Sequence, residues 1–291
     1  MQYFVNVENT SYFYWQLELL IESMLIQGVQ VQDNLVIAFS ENDNPKIKDY
    51  SKNIVKYGIK TFFPNIGRQT EHLQANRIYT LQRLVKEGIL KLPFTVLHSD
   101  MIMKNPIDSY NKPFDFVVNN YDISNEDVEN YFDDENNQKN IMRENETIDN
   151  VSIFKELKSY APIIFNESLD PEFLEKFLTK LVLNVRSLIE SKGPEFPCEK
   201  VAWKKTFLEA VGHYTATGET LACDLLQPDV DVPFIHYNRG IPPVFNKLFF
   251  KFEKPSLYYD GPFENLLQQN ISETTNFVHQ VIKSYIKRTR Y

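Results

Sequence analysis

A histidine and an aspartate lie one residue apart at the end of an apolar segment, FTVLHSDMIMKNPI, residues 94–107. Residues 94–98 favour a buried strand that ends in His98, Ser99 and Asp100. Ligands in open α/β sheets bind where strands end. An imidazole and a carboxylate there are two donors that can reach one divalent cation. The alternative is a strand that meets solvent through ordinary polar residues, and such a short pattern does not decide between them.

Strands and helices alternate in the first third of the chain at a spacing typical of βαβ units. This alternation predicts an α/β fold with a largely parallel central sheet flanked by helices, whose strand ends converge on one crevice. The predicted strands are residues 3–7, 35–39, 59–63 and 94–98, and the predicted helices are residues 12–27, 47–57 and 76–86.

The rest of the chain has a different pattern. Residues 122–149 are dominated by Asp, Glu and Asn, and they form either a solvated, flexible insertion or a mobile flap beside the crevice. The later segments predict strands at 161–165 and 232–236 and helices from Pro171, over 201–213 and over 271–291. The last two helices suggest a helical C-terminal lobe.

Composition excludes several classes of protein. The chain of 291 residues has a net charge of −8, which argues against a general nucleic-acid binder. The sequence has 9 glycines and no Gly-rich phosphate-loop motif, and its 2 cysteines suggest no disulfide framework. The sequence has neither a signal peptide nor a membrane-spanning run, so we expect a cytoplasmic protein without a membrane partner.

Three blocks carry a resemblance to a known family. They are NRIYTLQRLV before FTVLHSDMIMKNPI, then FLEAVGHYTAT at 207–217, and PFIHYNRGIPPVFNK at 233–247. In order and type these blocks resemble the GT-A fold nucleotide-sugar glycosyltransferases, most closely the hydroxyproline arabinosyltransferase and peptidyl-serine galactosyltransferase group. The likeness spans residues 1–250 without the acidic insertion. Two positions differ from the family pattern. His98 stands where the family has the first Asp of an Asp-x-Asp motif, and Phe207 stands where it usually has Trp.

The resemblance implies a divalent metal that neutralises a nucleoside diphosphate leaving group. It places Asp100 and His236 as ligands and His98 as either a third ligand, favouring Mn²⁺ over Mg²⁺, or a ribose contact. His236 is otherwise a structural histidine. The resemblance also places Glu209 at the reacting sugar as a catalytic carboxylate, against the alternative of an ordinary exposed helical Glu.

Further residues are candidates for binding the nucleotide sugar. Ordinary explanations exist for each type: turn chemistry for the residues after strands, a helix cap for the asparagine, and a solvated helix face for the arginines. The candidates are Phe39, Ser40, Arg68, Asn76, Arg77, Arg83 and Ser99.

We therefore expect one glycosyltransferase-like domain over residues 1–291, with a nucleotide-sugar-binding half at 1–120, the insertion at 122–149 and an acceptor-side half at 150–291. The expected reaction moves a hexosyl or pentosyl group from a nucleotide sugar, UDP-sugar being favoured, to a hydroxyl on a protein, a glycan or a hydroxymethylated DNA base, with retention. The alternatives are a nucleotidyltransferase of similar fold and a non-catalytic nucleotide-sugar-binding protein.

Overall fold

The computed structural model of the chain describes residues 1–8, 11–40, 54, 56–62, 73–107, 113–119, 126–134, 136–137, 161–193, 196–210, 212–224, 231–237 and 273–289. Its strands are β1 (Gln2–Glu8), β2 (Leu35–Ser40), β3 (Lys60–Phe62), β4 (Phe94–Leu97), β5 (Met101–Met103), β6 (Phe116–Asn119), β7 (Ile163–Phe165), β8 (Ala216–Glu219), β9 (Ala222–Asp224) and β10 (Phe234–His236). Its helices are α1 (Ser11–Ile26), α2 (Val31–Asn34), α3 (Leu73–Lys86), α4 (Glu126–Asp133), α5 (Pro171–Lys192), α6 (Cys198–Glu209) and α7 (Glu273–Thr289).

Seven strands form the central sheet in the order β3-β2-β1-β4-β7-β6-β8. The first four strands of this order are parallel, β7 is antiparallel to both of its neighbours, and β8 is parallel to β6. The predicted α/β fold with a largely parallel sheet is confirmed. The reversed direction of β7 was not predicted, because a short apolar run is the same pattern in either direction.

The two faces of the sheet bury alternate residues of each strand, as the two-residue period of a strand requires. Phe4, Val36 and Phe94 face a core built with α3, α5 and α6. Their neighbours Val5 and Ile37 face a second core built with α1. The sheet is therefore covered by helices on both faces, which explains why its strands read as continuous apolar runs.

A smaller sheet, β5-β10-β9, lies beside the central one and packs with α1 and α7. Trp15 and Leu19 of α1 share this third core with Ile282 of α7. The buried carboxylate of Glu22 on α1 accepts hydrogen bonds from Ser284 Oγ at 2.5 Å and from Arg288 Nη2 at 3.1 Å. These contacts hold the C-terminal helix against α1.

Helix boundaries follow local signals where those signals are strong. Asp170 caps α5 by accepting hydrogen bonds from the backbone N–H groups of Glu172 and Phe173, and Pro171 occupies the first turn, as the sequence predicted. The predicted helix over 201–213 instead begins at Cys198 and ends at Glu209. Most of the helix predicted over 47–57 lies outside the described residues.

Part of the acidic insertion forms helix α4. Two of its aromatic side chains pack towards α6: the Tyr131 ring lies 5.9 Å from the Phe196 ring, and Lys204 Nζ lies 4.7 Å from the centre of the Phe132 ring. Most of the remaining insertion lies outside the described residues, so its flexibility stays a prediction. Among the helices that the structure describes, none has the length and apolar composition needed to cross a bilayer.

Candidate metal centre

The pairing of two short strands brings residues from distant parts of the sequence together. His98, Ser99 and Asp100 connect β4 to β5, and β5 pairs antiparallel with β10 so that Met101 lies opposite His236. The backbone N–H of Tyr237 donates to the carbonyl oxygen of Asp100 at 3.1 Å. This register places the side chain of His236 beside that of Asp100.

The Asp100 carboxylate lies between two imidazoles. Its Oδ1 is 3.2 Å from Nε2 of His236 and 3.7 Å from Nδ1 of His98. The two imidazole rings are 5.4 Å apart and nearly perpendicular, at 85°. One donor atom from each of the three residues lies within 4.8 Å of the other two. The predicted group of His98, Asp100 and His236 is therefore assembled in the fold.

The protonation state of His98 suits the binding of a divalent cation. Burial and the nearby Arg77 guanidinium lower the pKa of His98 well below its usual range, although the Asp100 carboxylate opposes them. A neutral imidazole offers a lone pair to a cation, as metal binding requires. Two nitrogen donors and one carboxylate oxygen form a mixed set that Mn²⁺ and its neighbours in the first transition row accept. The residues present fit such an ion.

A buried ion pair lies next to the cluster. Arg77 of α3 and Glu199 of α6 are separated by 3.5 Å between Nη1 and Oε1, with 14% and 0% of their side chains exposed. Burial raises the pKa of Glu199, and the Arg77 guanidinium opposes this rise. Arg77 and Lys200 both lower the pKa of His98, so positive charges from α3 and from the beginning of α6 act on the cluster.

Glu8 ends β1 at the same edge of the sheet, opposite Ser40 of β2. Burial raises the pKa of its carboxyl from 4.5 to about 7, and Arg77 opposes this rise. Arg77 therefore acts on acidic groups of two elements, β1 and α6, as well as on His98.

We expect Glu8→Gln to stabilise the chain near neutral pH. The folded state holds the Glu8 proton more tightly than the unfolded state does, so wild-type stability falls as the pH rises from 4.5 to about 7. A glutamine does not titrate, so over this interval the free energy of unfolding of the variant should rise by about 1–2 kcal/mol relative to that of the wild type. This value is smaller than the full pKa shift would give, because the carboxyl is partly exposed. Urea unfolding at both ends of the interval measures the difference.

Glu175→Gln is the matched control, because Glu175 is an exposed residue of α5 that loses the same charge. Its stability should follow that of the wild-type chain across the interval. If Glu8→Gln followed the wild type equally closely, the carboxyl of Glu8 would not be desolvated in the folded chain.

The residues predicted to bind the nucleotide sugar lie in several places. The Ser99 hydroxyl donates to Gln16 Oε1 at 3.2 Å, and Ser40 Oγ accepts from the Asn6 amide at 3.1 Å, so both serines are fixed at the sheet edge. The Phe39 side chain is buried in the core on the α1 side of the sheet. Their roles towards a nucleotide sugar stay predictions.

The other candidates lie on α3 or outside the described residues. Asn76 is buried within the helix, which begins at Leu73, so it is not the helix cap. Arg83 lies in the last turn and is partly exposed, with its Nε 2.7 Å from Glu87 Oε1. Arg77 is the member of this group that lies beside the cluster. Arg68 is outside the described residues.

Glu209 lies in the last turn of α6, away from the turn that carries Glu199. Ten residues of helix separate these two glutamates by about 15 Å along the axis. Glu209 Oε2 accepts a hydrogen bond from the Asn184 amide at 2.7 Å. The ammonium groups of Lys180 and Lys205 lie 3.5 and 3.6 Å from its carboxylate. These contacts hold the Glu209 carboxylate between α5 and α6. Its catalytic role stays a prediction.

Two acidic residues near the cluster, Glu8 and Glu199, were not predicted from the sequence. Glu8 follows the first predicted strand, at a position where ligands bind in α/β sheets, and this position could have identified it. Glu199 follows Pro197 in a first helical turn, where an acidic residue usually interacts with the helix dipole at the surface. Its complete burial depends on the packing of α6 against α3, which no local pattern indicates.

Comparison with known proteins shows similarity in fold but not in sequence. No protein-family model and no curated protein matches the chain. The apo structure of the WbbM bifunctional glycosyltransferase aligns with 92% of this chain at 10% identity and a TM-score of 0.51. The chain spans 51% of the length of that protein.

Two further solved structures align less closely. The apo form of mouse xyloside xylosyltransferase 1 aligns with 81% of this chain and 97% of its own, at 11% identity and a TM-score of 0.44. The apo form of the glycosyltransferase GlyE of Streptococcus pneumoniae TIGR4 aligns with 99% and 63%, at 10% identity and a TM-score of 0.47. At these identities the likeness to WbbM shows the fold alone, and the predicted GT-A fold is confirmed.

Proposed function

We propose that this chain is a metal-dependent glycosyltransferase that moves a sugar from a nucleotide sugar to a hydroxyl acceptor. The observation that carries the proposal is the cluster of His98, Asp100 and His236 at the edge of a GT-A sheet where parallel strands end. Ligands bind at this edge in open α/β sheets. A bound divalent cation would neutralise the charge that develops on a diphosphate leaving group.

The residues around the cluster have separate roles in this proposal. Asp100 and His236 hold the cation, and His98 is a third ligand or a ribose contact. Arg77 supports the diphosphate, because its positive charge acts on His98 of the cluster and a guanidinium can bind phosphate oxygens in a bidentate manner. Glu199 holds Arg77 in place through the buried ion pair. Mn²⁺ is favoured over Mg²⁺ because two of the three donors are nitrogens.

The finer parts of the proposal come from the resemblance in sequence. They are a UDP-sugar donor, transfer of a hexosyl or pentosyl group with retention, and a protein, glycan or hydroxymethylated DNA base as acceptor. The anomeric configuration of a product, followed by NMR from the start of the reaction, tests retention. A product of opposite configuration to the donor contradicts it.

Metal-dependent stabilisation by nucleotides tests the proposal. We expect UDP or a UDP-sugar to raise the stability of the chain by about 2.7 kcal/mol at a hundredfold excess over its Kd, and only when Mn²⁺ is present. Differential scanning fluorimetry with and without Mn²⁺ measures the shift. If no nucleoside diphosphate or nucleotide sugar stabilises the chain with Mn²⁺, the proposed donor site is wrong.

Follow-up assays separate the two alternatives. A nucleotidyltransferase would release pyrophosphate from a nucleoside triphosphate and a sugar phosphate. A non-catalytic binding protein would show the Mn²⁺-dependent shift but neither transfer nor slow hydrolysis of the nucleotide sugar. Hydrolysis of a UDP-sugar to UDP and free sugar supports the transferase, because water then acts as a poor acceptor.

The predicted catalytic role of Glu209 needs its own experiment. Glu209→Gln keeps the shape of the side chain and removes its charge. If the carboxylate acts on the reacting sugar, single-turnover transfer falls by about 100-fold while donor affinity stays unchanged. If it serves only the network with Asn184 and Lys180, the variant is less stable and transfers at the wild-type rate.

A further inference from the structure

A cleft lies at the other end of the small sheet from the candidate metal centre. Its volume is about 590 Å³, and its two walls are the turn after β5 and one face of α7. Asp100 precedes β5 and Lys104 follows it, so the strand separates them by about 13 Å. The cleft is therefore distinct from the cluster of His98, Asp100 and His236.

Both walls of this cleft are held in place. The Asn105 amide donates to Asp231 Oδ1 at 2.8 Å and to the carbonyl oxygen of Val232 at 3.3 Å. The backbone N–H of Lys104 donates to the carbonyl oxygen of Pro233 at 2.7 Å. The opposite wall, α7, is fixed to α1 by the third core and by the hydrogen bonds of Glu22. The volume of this cleft lies within the range of small-molecule sites, about 300–1,000 Å³.

The lining includes three kinds of group suited to a ligand, together with the imidazole of His279. The amides of Asn276 and Gln280 both donate and accept hydrogen bonds, as sugar hydroxyls do. The half-buried ring of Phe277 offers an apolar surface to the C–H face of a sugar ring. Lys104 and Lys283 contribute positive charge from opposite walls, against the single carboxylate of Glu273 among the lining residues. The net positive lining contrasts with the net charge of −8 on the whole chain.

We propose that this cleft is a binding site for an acidic saccharide. The amides bind its hydroxyls, the phenylalanine ring packs on its apolar face, and the two lysines bind its carboxylate. The proposal goes beyond the transferase function and does not depend on it, because binding here requires neither the metal nor a nucleotide sugar.

Isothermal titration of the full chain with trigalacturonate, in the absence of divalent metal, tests the proposal. We expect saturable binding of one trisaccharide per chain. Maltotriose, a neutral trisaccharide, should bind at least about 10-fold more weakly, because it lacks the charge-assisted contacts to the lysines. The binding should weaken as the salt concentration rises.

Two double variants locate the site. Lys104→Met/Lys283→Met should weaken trigalacturonate binding by at least about 10-fold. The control, Lys86→Met/Lys176→Met, removes two exposed lysines of α3 and α5 and should bind as the wild type does. Thermal unfolding of both variants checks that each is folded.

Several results would overturn the proposal. One is the absence of saturable trigalacturonate binding, and another is equal binding of maltotriose. A third is unchanged binding by Lys104→Met/Lys283→Met. A fourth is complete displacement of trigalacturonate by equimolar pyrophosphate, since the cleft would then be a phosphate site rather than a saccharide site.

Discussion

Asp100→Ala is expected to abolish Mn²⁺-dependent nucleotide binding and to lower sugar transfer by more than about 100-fold. This loss is larger than the roughly 10- to 100-fold that is typical when a residue in contact with a metal ligand, rather than the ligand itself, is removed. The carboxylate lies between the imidazoles of His98 and His236, so its removal takes away an oxygen donor that lies within 3.7 Å of both rings. Fluorimetry with UDP and Mn²⁺, together with a transfer or hydrolysis assay, measures both effects.

The fold should survive this change, because Asp100 sits in a connection between strands rather than in an apolar core. Asp33→Ala, at an exposed position of α2, removes the same charge and should leave binding and transfer unchanged. His236→Ala should reduce binding in the same direction but less severely. Near-normal Mn²⁺-dependent turnover by Asp100→Ala would show that the metal site lies elsewhere.

Arg77→Met is expected to destabilise the chain by about 3 kcal/mol, the cost of leaving a buried charge without its partner. Glu199 is completely buried, and the Arg77 guanidinium lies 3.5 Å from its carboxylate. The same substitution should lower transfer by about 100-fold if Arg77 stabilises the diphosphate in the transition state. Urea unfolding and steady-state kinetics measure the two effects separately.

The double variant Arg77→Met/Glu199→Leu distinguishes the structural role of Arg77 from its proposed functional one. Replacing both partners of a buried ion pair by apolar residues usually restores most of the stability. Transfer should remain low in the double variant, because the guanidinium is still missing. Arg186→Met, which breaks an exposed pair with Glu190, should cost less than about 1 kcal/mol and leave transfer unchanged. Recovery of transfer together with stability would make Arg77 a purely structural residue.

The cluster of His98, Asp100 and His236 could be predicted from the sequence because each part of it carries a local signal. Strand ends are visible where apolar runs meet polar residues, as at His98 and His236. Parallel strands then bring their carboxyl ends to one edge, so the approximate position of the site follows from the alternation of strands and helices. The antiparallel pairing of β5 with β10, which fixes the distance from Asp100 to His236, carried no such signal.

The surroundings of the cluster could not be predicted, because they depend on how helices pack. The acidic residue of α6 that the structure brings near the cluster is Glu199, in the first turn, whereas the sequence blocks drew attention to Glu209 in the last turn. A helix of this length presents its two ends to different neighbours, and the sequence does not show which end meets α3. The effect of the Arg77 charge on nearby titratable groups also depends on that packing.

Asp100 and His236 are 136 positions apart in the chain. A cation held by both would link the two halves of the polypeptide. The link would close the loop of chain between these two residues and reduce its conformational entropy. Ion binding would then be a property of the assembled chain and of neither half alone. A protein cut between its halves should lose its affinity for the ion and regain it only when the two fragments reassociate.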